Sequence, residues 1–426
     1  MKFGKIPAVL ATTLALTACN ENNQQTGDSA GGEQQAKSSV FVGHLADLSG
    51  ATSFVGKAYA QGVTDALNYI NQNGGISGTS LEYETHDYAY KIPQAITTYK
   101  RWKSNNSMVA MQGWGTGDTE ALISFVAKDE IPNFSASYSA HLTDPTGKNP
   151  NTAKPAPYNF FYGPSYSDGA RALVEWAAQD WKQSGQQGMP KFVFAGTDKP
   201  YAETMRTPAE ERAKELGFEV LQSLVVPLGA GDKTAACLSI KNSNADYIFN
   251  GNLGGAVLSM IQDCEKVGVS GKILSNVWGV DRGLLAAVKP RNPIMTVAAT
   301  PPWESTAPGM SLVKNISRLS DPSGNEVRNH HYTRGVCSVF YMKEAMEWAK
   351  ANGGITGANI KQGMYQKQDW VPEGLTGVCQ PSTWTPEDHR GTLNVSVIAA
   401  TYENDNATMN SVAVINVERR PQWLGK

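Results

Sequence analysis

Residues 40–75 read VFVGHLADLSGATSFVGKAYAQGVTDALNYINQNGG, a short apolar run followed by a longer segment in which apolar residues are spaced differently. The run Val40–Ala46 predicts a buried β-strand. In Lys57–Asn73 apolar side chains recur every three or four residues, which predicts a helix with one buried face. Gly74-Gly75 then ends the helix, because glycine readily adopts the left-handed conformation found after helix C-termini. The stretch is therefore typical of the first half of a β-α-β unit.

The alternation of strand and helix continues along the chain. Further strands are predicted at Leu81–His86, Met108–Gln112, Ile131–Ser135, Lys191–Gly196, Glu219–Val225, Asp246–Asn250, Lys272–Ser275, Ile294–Ala299, Asn394–Thr401 and Ser411–Val417. Helices are predicted at Pro93–Asn105, from Thr119, and at Ser167–Ser184, Ala202–Leu216, Lys233–Asn242, Gly254–Val267, Gly309–Arg318, Tyr332–Ala351 and Ile360–Gln366. A surface loop predicted at Leu142–Pro157 divides the repeats into two series. Repeated β-α-β connections build a parallel sheet with helices on both faces. The predicted fold class is therefore α/β, with two doubly wound, Rossmann-like lobes.

The first residues have the features of an export signal. Two lysines precede the apolar run Ile6–Ala18, which ends in the sequence Leu-Thr-Ala before Cys19. This pattern predicts a secretory signal peptide at residues 1–18. The sequence L-T-A-C also resembles the bacterial lipobox, which implies lipidation of Cys19; the alternative is a plain signal peptide with an incidental cysteine. Residues 19–38 are rich in Gln, Asn, Gly and Ser and predict a flexible tether.

Composition and charge exclude several classes of protein. The chain has 426 residues, of which 41% are hydrophobic and 18% charged, so it can bury a sizeable core. It carries 37 basic and 39 acidic residues, a net charge of −2. This balance argues against nucleic acid as a partner, because such surfaces need clustered positive charge. After residue 18 no apolar run reaches the length of about 20 residues that a helix needs to cross a bilayer. This excludes a polytopic membrane protein.

The cysteines are consistent with an oxidising compartment. After Cys19 the chain has Cys237, Cys264, Cys337 and Cys379, which allow three pairings. Export favours disulfides, and we predict the pairs formed by nearest neighbours in sequence, Cys237 with Cys264 and Cys337 with Cys379. The alternative is four buried free thiols, since free cysteine is a frequent core residue.

Catalytic and cofactor motifs are weak. The loop Gly113–Asp118 reads GWGTGD, which lacks the full G-x-G-x-x-G spacing and follows the third strand rather than the first. The chain has no G-x-x-x-x-G-K-[ST] loop, no H-E-x-x-H and no G-x-S-x-G. His330-His331 have no acidic or third ligand at a helical spacing, and are predicted to be solvated or to cap a helix. We therefore expect no catalytic residue, no metal and no cofactor.

The loops that follow the strands carry groups suited to binding. In open α/β sheets ligands bind beyond the C-terminal strand ends, where helix N-termini and free amides gather. Hydroxyls are present there at Thr116, Ser137 and Ser139, and these can hold a carboxylate. Aromatic surface is present at Trp114, Tyr138, Tyr201 and Trp278, although each of these rings also suits core packing.

Short motifs in a consistent order extend the argument to a family. They are Asp47-Leu-Ser-Gly50, Gly74-Gly-Ile-Ser-Gly78, His86-Asp87, Gly113-Trp-Gly-Thr116, Ile131-Pro132 with Ser135–Ser139, Asp198–Tyr201, Met260–Gly268 and Thr385-Pro-Glu-Asp-His-Arg-Gly391. From about Val40 to its end the chain resembles the ABC-transporter solute-binding proteins for hydrophobic amino acids and amides, of the leucine/isoleucine/valine-binding type.

The resemblance implies an architecture and a set of partners. Two lobes joined by a three-strand hinge, a type I periplasmic binding protein, would close over a small-molecule ligand. Lobe 1 would comprise residues 39–160 and 300–378, and lobe 2 residues 161–299 and 379–426. The chain would be a monomer, lipid-anchored in a periplasmic or extracytoplasmic location, that delivers its ligand to an ABC permease and its ATPase. A ligand-sensing receptor module of the amide-sensor kind and, further removed, a secreted hydrolase are the alternatives.

The resemblance also assigns site residues. Carboxylate binding by the first lobe carries over to Trp114, Gly115, Thr116, Ser137, Tyr138 and Ser139, and the second lobe supplies Tyr201. In this chain Trp278 stands where the family has the second-lobe acid that pairs with a ligand ammonium, and Asp281 is nearby. Val55 stands where the family has an aromatic residue in the first loop, and Phe54 is adjacent. Asn252 follows a second-lobe strand and is a further candidate.

The replacement of the family's second-lobe acid changes which ligand we expect. Arg334 is a second candidate for binding a carboxylate, or else a solvated surface arginine. Burying an ammonium without a carboxylate partner is costly. We therefore expect an aromatic or branched aliphatic carboxylate, or a related amide, with a branched-chain amino acid as the family alternative.

Overall fold

The computed structural model describes residues 38–105 and 107–426. Its strands are β1 (Ser39–Ala46), β2 (Ser80–Asp87), β3 (Met108–Gly113), β4 (Asn133–Ser135), β5 (Asn159–Phe161), β6 (Lys191–Gly196), β7 (Glu219–Val220), β8 (Leu224–Val225), β9 (Tyr247–Gly251), β10 (Lys272–Ser275), β11 (Ile294–Ala298), β12 (Thr383–Thr385), β13 (Asp388–Gly391), β14 (Asn394–Glu403) and β15 (Asn406–Asn416). Its helices are α1 (Ser53–Gln72), α2 (Ile92–Asn105), α3 (Thr116–Asp129), α4 (Tyr166–Gln183), α5 (Pro200–Glu215), α6 (Thr234–Ser243), α7 (Gly255–Val267), α8 (Arg282–Val288), α9 (Met310–Ser317), α10 (His330–Ala351) and α11 (Gly357–Met364). The predicted signal peptide, Cys19 and all of the predicted tether except Ser38 lie outside the described residues.

The first sheet has five strands in the order β2-β1-β3-β4-β5. Every pair in it is parallel, with Val42 of β1 opposite Tyr83 of β2 and Ala110 of β3. Helix α10 packs along α1 and against α11, so these helices belong to the same half of the molecule as the sheet. The parallel order places the carboxyl ends of all five strands at one edge, where the loops to α1 and α3 begin.

The second sheet has eight strands, with the path β15-β14-β11-β10-β9-β6-β7 and β8 paired to β6. Its centre from β6 to β11 is parallel, whereas β14 and β15 are antiparallel additions at one edge. The chain passes between the two sheets after β5, after β11 and after β13. The α/β class is therefore confirmed, with one parallel sheet and one that is parallel at its centre, while the residue boundaries of the two lobes stay a prediction.

Some local features differ from the sequence prediction. The single strand expected at Glu219–Val225 is split into β7 and β8, and the short elements β5, α8, β12 and β13 were not expected. The loop at Leu142–Pro157 is only partly a surface loop, because Asp144 is fully buried at its base. The Asp144 carboxylate accepts hydrogen bonds from the backbone N–H groups of Thr146, Gly147 and Asn149, which satisfies backbone donors that solvent would otherwise bind.

Two disulfides connect helices of the two halves to their neighbours. Cys237 of α6 is bonded to Cys264 of α7, and Cys337 of α10 is bonded to Cys379, which follows α11. All four cysteines are buried. In the structure none of the four is therefore a free thiol. Within the described part of the chain, no helix is both long and apolar enough to cross a membrane.

Candidate functional site

The loops at the carboxyl ends of the strands of both sheets meet around a small cavity. Its volume is about 20 Å³, enough for roughly one water molecule. Both halves of the molecule contribute to its wall, which consists of Thr52, Val55, Tyr90, Trp114, Gly115, Thr116, Ala136, Tyr166, Tyr201, Leu253 and Trp278. Most of the space between the two sheets is therefore filled by side chains in this conformation.

Aromatic rings from the two halves pack against each other at this place. The centroids of Trp114, which follows β3, and Trp278, which follows β10, are 5.2 Å apart in an edge-to-face arrangement. Tyr138 lies 5.7 Å from Trp278, and Tyr201 lies 5.0 Å from Tyr166. Trp114, Tyr201 and Trp278 are buried and also line the cavity. Each of these three rings therefore packs in the core and forms part of the cavity wall.

The hydroxyl groups of the first half bind one another. Ser137 Oγ donates to Thr116 Oγ1 at 3.0 Å, and Ser139 Oγ donates to the Glu120 carboxylate at 2.6 Å. Gly115 lies at the start of α3, where a Cβ atom would come within 2.3 Å of the Tyr90 ring, so no larger residue fits. The structure thus brings Thr116, Ser137 and Gly115 together, but the serine donors already have partners.

The motif Asp47-Leu-Ser-Gly50 has a positioning role that the sequence did not reveal. The Asp47 carboxylate accepts from the backbone N–H groups of Gly50 and Thr52 and from Thr52 Oγ1, the last at 2.6 Å. Thr52 Oγ1 in turn accepts from Trp114 Nε1 at 2.8 Å. The loop after β1 therefore fixes the orientation of the Trp114 indole in the wall of the cavity.

A second carboxylate lies behind the same loop. Asp118, in the first turn of α3, accepts a hydrogen bond from the Tyr88 hydroxyl at 2.7 Å and a longer one, 3.3 Å, from the Gly115 backbone N–H. Burial disfavours its charged form and raises the pKa of Asp118 to about 7. Asp118 is not part of the cavity wall, but it binds the loop at Gly115, and its carboxyl titrates close to neutral pH.

Trp278 contacts two residues of α10. The ring of His331 stacks on it at 5.0 Å with an interplanar angle of 27°, and the guanidinium carbon of Arg334 lies 4.5 Å from its centre. The indole Nε1 donates to the Tyr166 hydroxyl at 3.0 Å. The expectation that His330 and His331 are solvated is wrong: both are buried, because the start of α10 packs against the loop after β10. Burial lowers the pKa of both imidazoles well below its usual value, so they are neutral.

Arg334 is fully buried, so the alternative of a surface arginine is wrong. Its Nη2 donates to the Val277 carbonyl at 2.7 Å, whereas its Nε and Nη1 have no hydrogen-bond partner. Among residues 38–105 and 107–426 no carboxylate forms an ion pair with it. The buried hydroxyls of Tyr138 and Tyr201 also lack a partner. Burial lowers the pKa of this guanidinium, and the four tyrosines Tyr138, Tyr162, Tyr166 and Tyr201 oppose this effect.

Other candidate residues lie outside the cavity wall. The Phe54 side chain is 46% exposed and lines an open groove of about 660 Å³ beside α1 and α8. Asn252 is buried, with Nδ2 donating to the Val226 carbonyl at 3.1 Å and Oδ1 unpaired. Asp281 accepts from the Leu284 N–H at 2.8 Å and lies 3.4 Å from His331, so its carboxylate does not face the cavity. No group of three or more His, Cys, Asp or Glu among the residues described is arranged to hold a metal.

Several solved structures of known proteins are similar to this one. The structure is similar to an ABC transporter substrate-binding protein from Aeropyrum pernix, with 23% sequence identity, 91% of this chain and 98% of that chain covered, and a TM-score of 0.78. A branched-chain amino acid ABC transporter structure from Thermus thermophilus with bound valine has 19% identity, the same coverage and a TM-score of 0.79. A solute-binding protein from R. palustris in complex with benzoate has 15% identity, covers 91% of this chain and 99% of its own, and has a TM-score of 0.73.

These similarities establish the fold, which is that of the type I periplasmic binding proteins, as expected from the sequence. None of the curated proteins compared with the chain matches it. The family model described as periplasmic binding protein, however, matches residues 39–406, which is most of the chain. The chain therefore belongs to the periplasmic binding protein family.

Proposed function

We propose that the chain is the solute-binding component of an ABC importer and captures a small hydrophobic or aromatic carboxylate, or a related amide, between its two halves. The observation that carries the proposal is the meeting of Trp114 and Trp278, one from each sheet, at the cavity. An apolar ligand between such rings would bury apolar surface against both halves at once, which favours the closed arrangement.

The charges around the cavity favour a ligand without an ammonium group. No carboxylate is part of the cavity wall, and Asp281, the nearest acid on the loop that carries Trp278, already binds the Leu284 N–H and lies against His331. A buried ammonium would remain unpaired there, at a cost of several kcal/mol. Among the similar structures, one has bound valine and one has bound benzoate, so both classes belong in a test.

The mechanism follows from the three connections between the sheets. Bending at the segments after β5, β11 and β13 separates the halves, and a ligand that contacts both stabilises the closed form by its higher affinity for that form. The closed protein then docks on a membrane permease and releases the ligand unchanged. Anchoring through a lipid on Cys19 would keep the protein at the membrane surface.

Calorimetry with the purified chain and benzoate, phenylacetate, isovalerate, benzamide, leucine and valine tests the ligand class, and small-angle scattering tests closure. We expect the acids or amides to bind and to reduce the radius of gyration. Leucine binding that requires its ammonium, with no binding of the deaminated acids, would contradict the ligand class. Release of a cleaved product, or a scattering profile unchanged by every compound, would contradict the function. A neighbouring regulator gene in place of permease and ATPase genes would indicate sensing instead of import.

A further inference from the structure

We infer that the negatively charged group of the ligand is bound by Arg334, behind the indole of Trp278, and not by the hydroxyls of the first half. The inference rests on the proposed function and specifies which residue of the same cleft recognises the charge. It differs from the assignment that the family resemblance implies, in which Thr116, Ser137 and Ser139 hold the carboxylate.

The first argument is the missing counter-charge of Arg334. The other three buried arginines of the described chain each have a carboxylate partner: Arg171 binds Asp168 at 2.9 Å, Arg328 binds Glu326 at 2.6 Å and Arg390 binds Asp388 at 2.7 Å. Arg334 is more completely buried than any of them, and within the described chain it binds only a backbone carbonyl. Because a buried charge without a partner is strongly destabilising, a protein retains such a group where it serves binding.

The second argument is the set of free donors around it. Arg334 has unpaired N–H groups on Nε and Nη1, and the hydroxyls of Tyr138 and Tyr201 are buried without a partner. Both tyrosines are linked to the indole that covers the guanidinium: Tyr138 lies 5.7 Å from Trp278, and Tyr201 packs on Tyr166, which accepts from Trp278 Nε1. Nε carries one N–H and Nη1 two, so with the two hydroxyls there are five donors, enough for the about four lone-pair sites of a carboxylate.

The third argument is that both serine hydroxyls of the first half already donate to other groups. Ser137 donates to Thr116, and Ser139 donates to Glu120. A ligand carboxylate beside Ser139 would have to break the 2.6 Å hydrogen bond from Ser139 to Glu120. It would also be repelled by the Glu120 carboxylate. The Arg334 side has positive charge and free donors, so it is the more favourable place for an anion.

Trp278 covers this site in the present conformation. The indole lines the cavity and at the same time lies against the guanidinium, 4.5 Å from its carbon atom. A ligand that enters the cavity reaches Arg334 when the Trp278 indole rotates away. The guanidinium then loses its cation–π contact with the indole and forms an ion pair with the ligand carboxylate. The expected ligand is therefore a monocarboxylate with an apolar tail, which the displaced indole and Trp114 can cover.

The test compares acids with their isosteric amides. Calorimetry measures benzoate against benzamide, phenylacetate against phenylacetamide and isovalerate against isovaleramide, for the unmodified full chain, Arg334→Gln, Ser137→Ala and the exposed control Arg291→Gln. We expect Arg334→Gln to weaken acid binding about 30-fold, because a charge-assisted hydrogen bond is lost, and amide binding by less than about threefold. Acid preference that survives in Arg334→Gln, or disappears in Ser137→Ala, would overturn the inference while leaving the proposed function intact.

A second measurement needs no ligand. Thermal unfolding of Arg334→Met, with the unmodified chain and Arg291→Gln as references, shows whether the arginine stabilises the fold. We expect an unchanged or higher Tm, because an unpaired buried charge is replaced by an apolar side chain of similar length. A Tm lower by several degrees would identify Arg334 as a structural residue and overturn the inference, whichever compounds bind.

Discussion

The guanidinium carbon of Arg334 lies 4.5 Å from the centre of the Trp278 ring, and His331 stacks on the same indole at 5.0 Å. Arg334 and His331 belong to α10, which packs on α1 beside the first sheet, whereas Trp278 follows β10 of the second sheet. The contact therefore joins the two halves directly at the cleft.

Replacement of this indole is expected to destabilise the protein more than replacement of a tryptophan elsewhere. Trp278→Ala removes a buried ring that contacts Trp114, Tyr138 and Tyr59, so we expect a loss of about 3–5 kcal/mol in the free energy of unfolding. The matched control is Trp181→Ala on α4, whose side chain is only partly buried. Denaturant unfolding of both variants measures the difference, and equal losses would contradict the central position of Trp278.

The hydrogen bond from Trp114 to Thr52 is expected to contribute to ligand binding, because it orients the indole in the cavity wall. Thr52→Val removes the acceptor of the indole N–H, which then stays buried without a partner. We expect about a five- to tenfold loss of ligand affinity in calorimetry, corresponding to about 1 kcal/mol or more. Thr52→Ser keeps the acceptor and should bind nearly as the unmodified chain does. If the serine variant lost as much affinity as the valine variant, the hydrogen bond would not be the cause.

The two disulfides are expected to contribute to stability through the loops they close. They join residues 27 and 42 positions apart. Loop closure of this size lowers the entropy of the unfolded chain by an amount worth about 4 kcal/mol. The double variant Cys337→Ser with Cys379→Ser should therefore unfold at a clearly lower denaturant concentration than the unmodified chain, measured without reductant. Addition of reductant should lower the unfolding midpoint of the unmodified chain. It should leave the midpoint unchanged in a variant that lacks Cys237, Cys264, Cys337 and Cys379.

Acidification is expected to destabilise the protein through its buried histidines. Burial lowers the pKa of His389 to about 4 and that of His44 to about 3. In the unfolded chain these imidazoles bind protons near pH 6.5, whereas in the folded protein they stay neutral. Their contribution is thus complete above about pH 6.5 and is lost as the pH falls from there to about 4. Urea unfolding from pH 8 to pH 4 should show a steeper decline for the unmodified chain than for His389→Gln.

Asp118 is expected to give the opposite pH dependence. Burial raises the pKa of Asp118 to about 7, so the folded protein keeps this proton while the unfolded chain has lost it above about pH 4. Stability from this group therefore falls as the pH rises from about 4 through about 7. Asp118→Asn retains an oxygen acceptor for the Tyr88 hydroxyl and has no charge to bury. We expect its stability relative to the unmodified chain to increase between pH 5 and pH 8; a constant difference would contradict this.

Much of the fold could be predicted because its signals are local. The period of apolar residues in segments such as β1 and α1 depends only on neighbours a few positions apart, and the longer helices and central strands agree with the prediction to within a few residues. Short elements such as β5 and α8 have too few residues to establish a period, and were missed for that reason. The strand-end loops were also predictable, since parallel strands bring their carboxyl ends to one edge.

The pairing of polar groups was not predictable in this way. Whether Arg334 is solvated or buried depends on the loop that carries Trp278, which lies more than fifty positions earlier in the chain. The hydrogen bonds from Asp47 through Thr52 to Trp114 likewise join the loop after β1 to a residue that follows β3, more than sixty positions later in the chain. Local periodicity thus specified the longer elements and their order, and the short motifs carried the resemblance to the family. Which donors of the cleft are satisfied and which stay free follows from contacts between distant segments, and these exist only once both sheets have packed together.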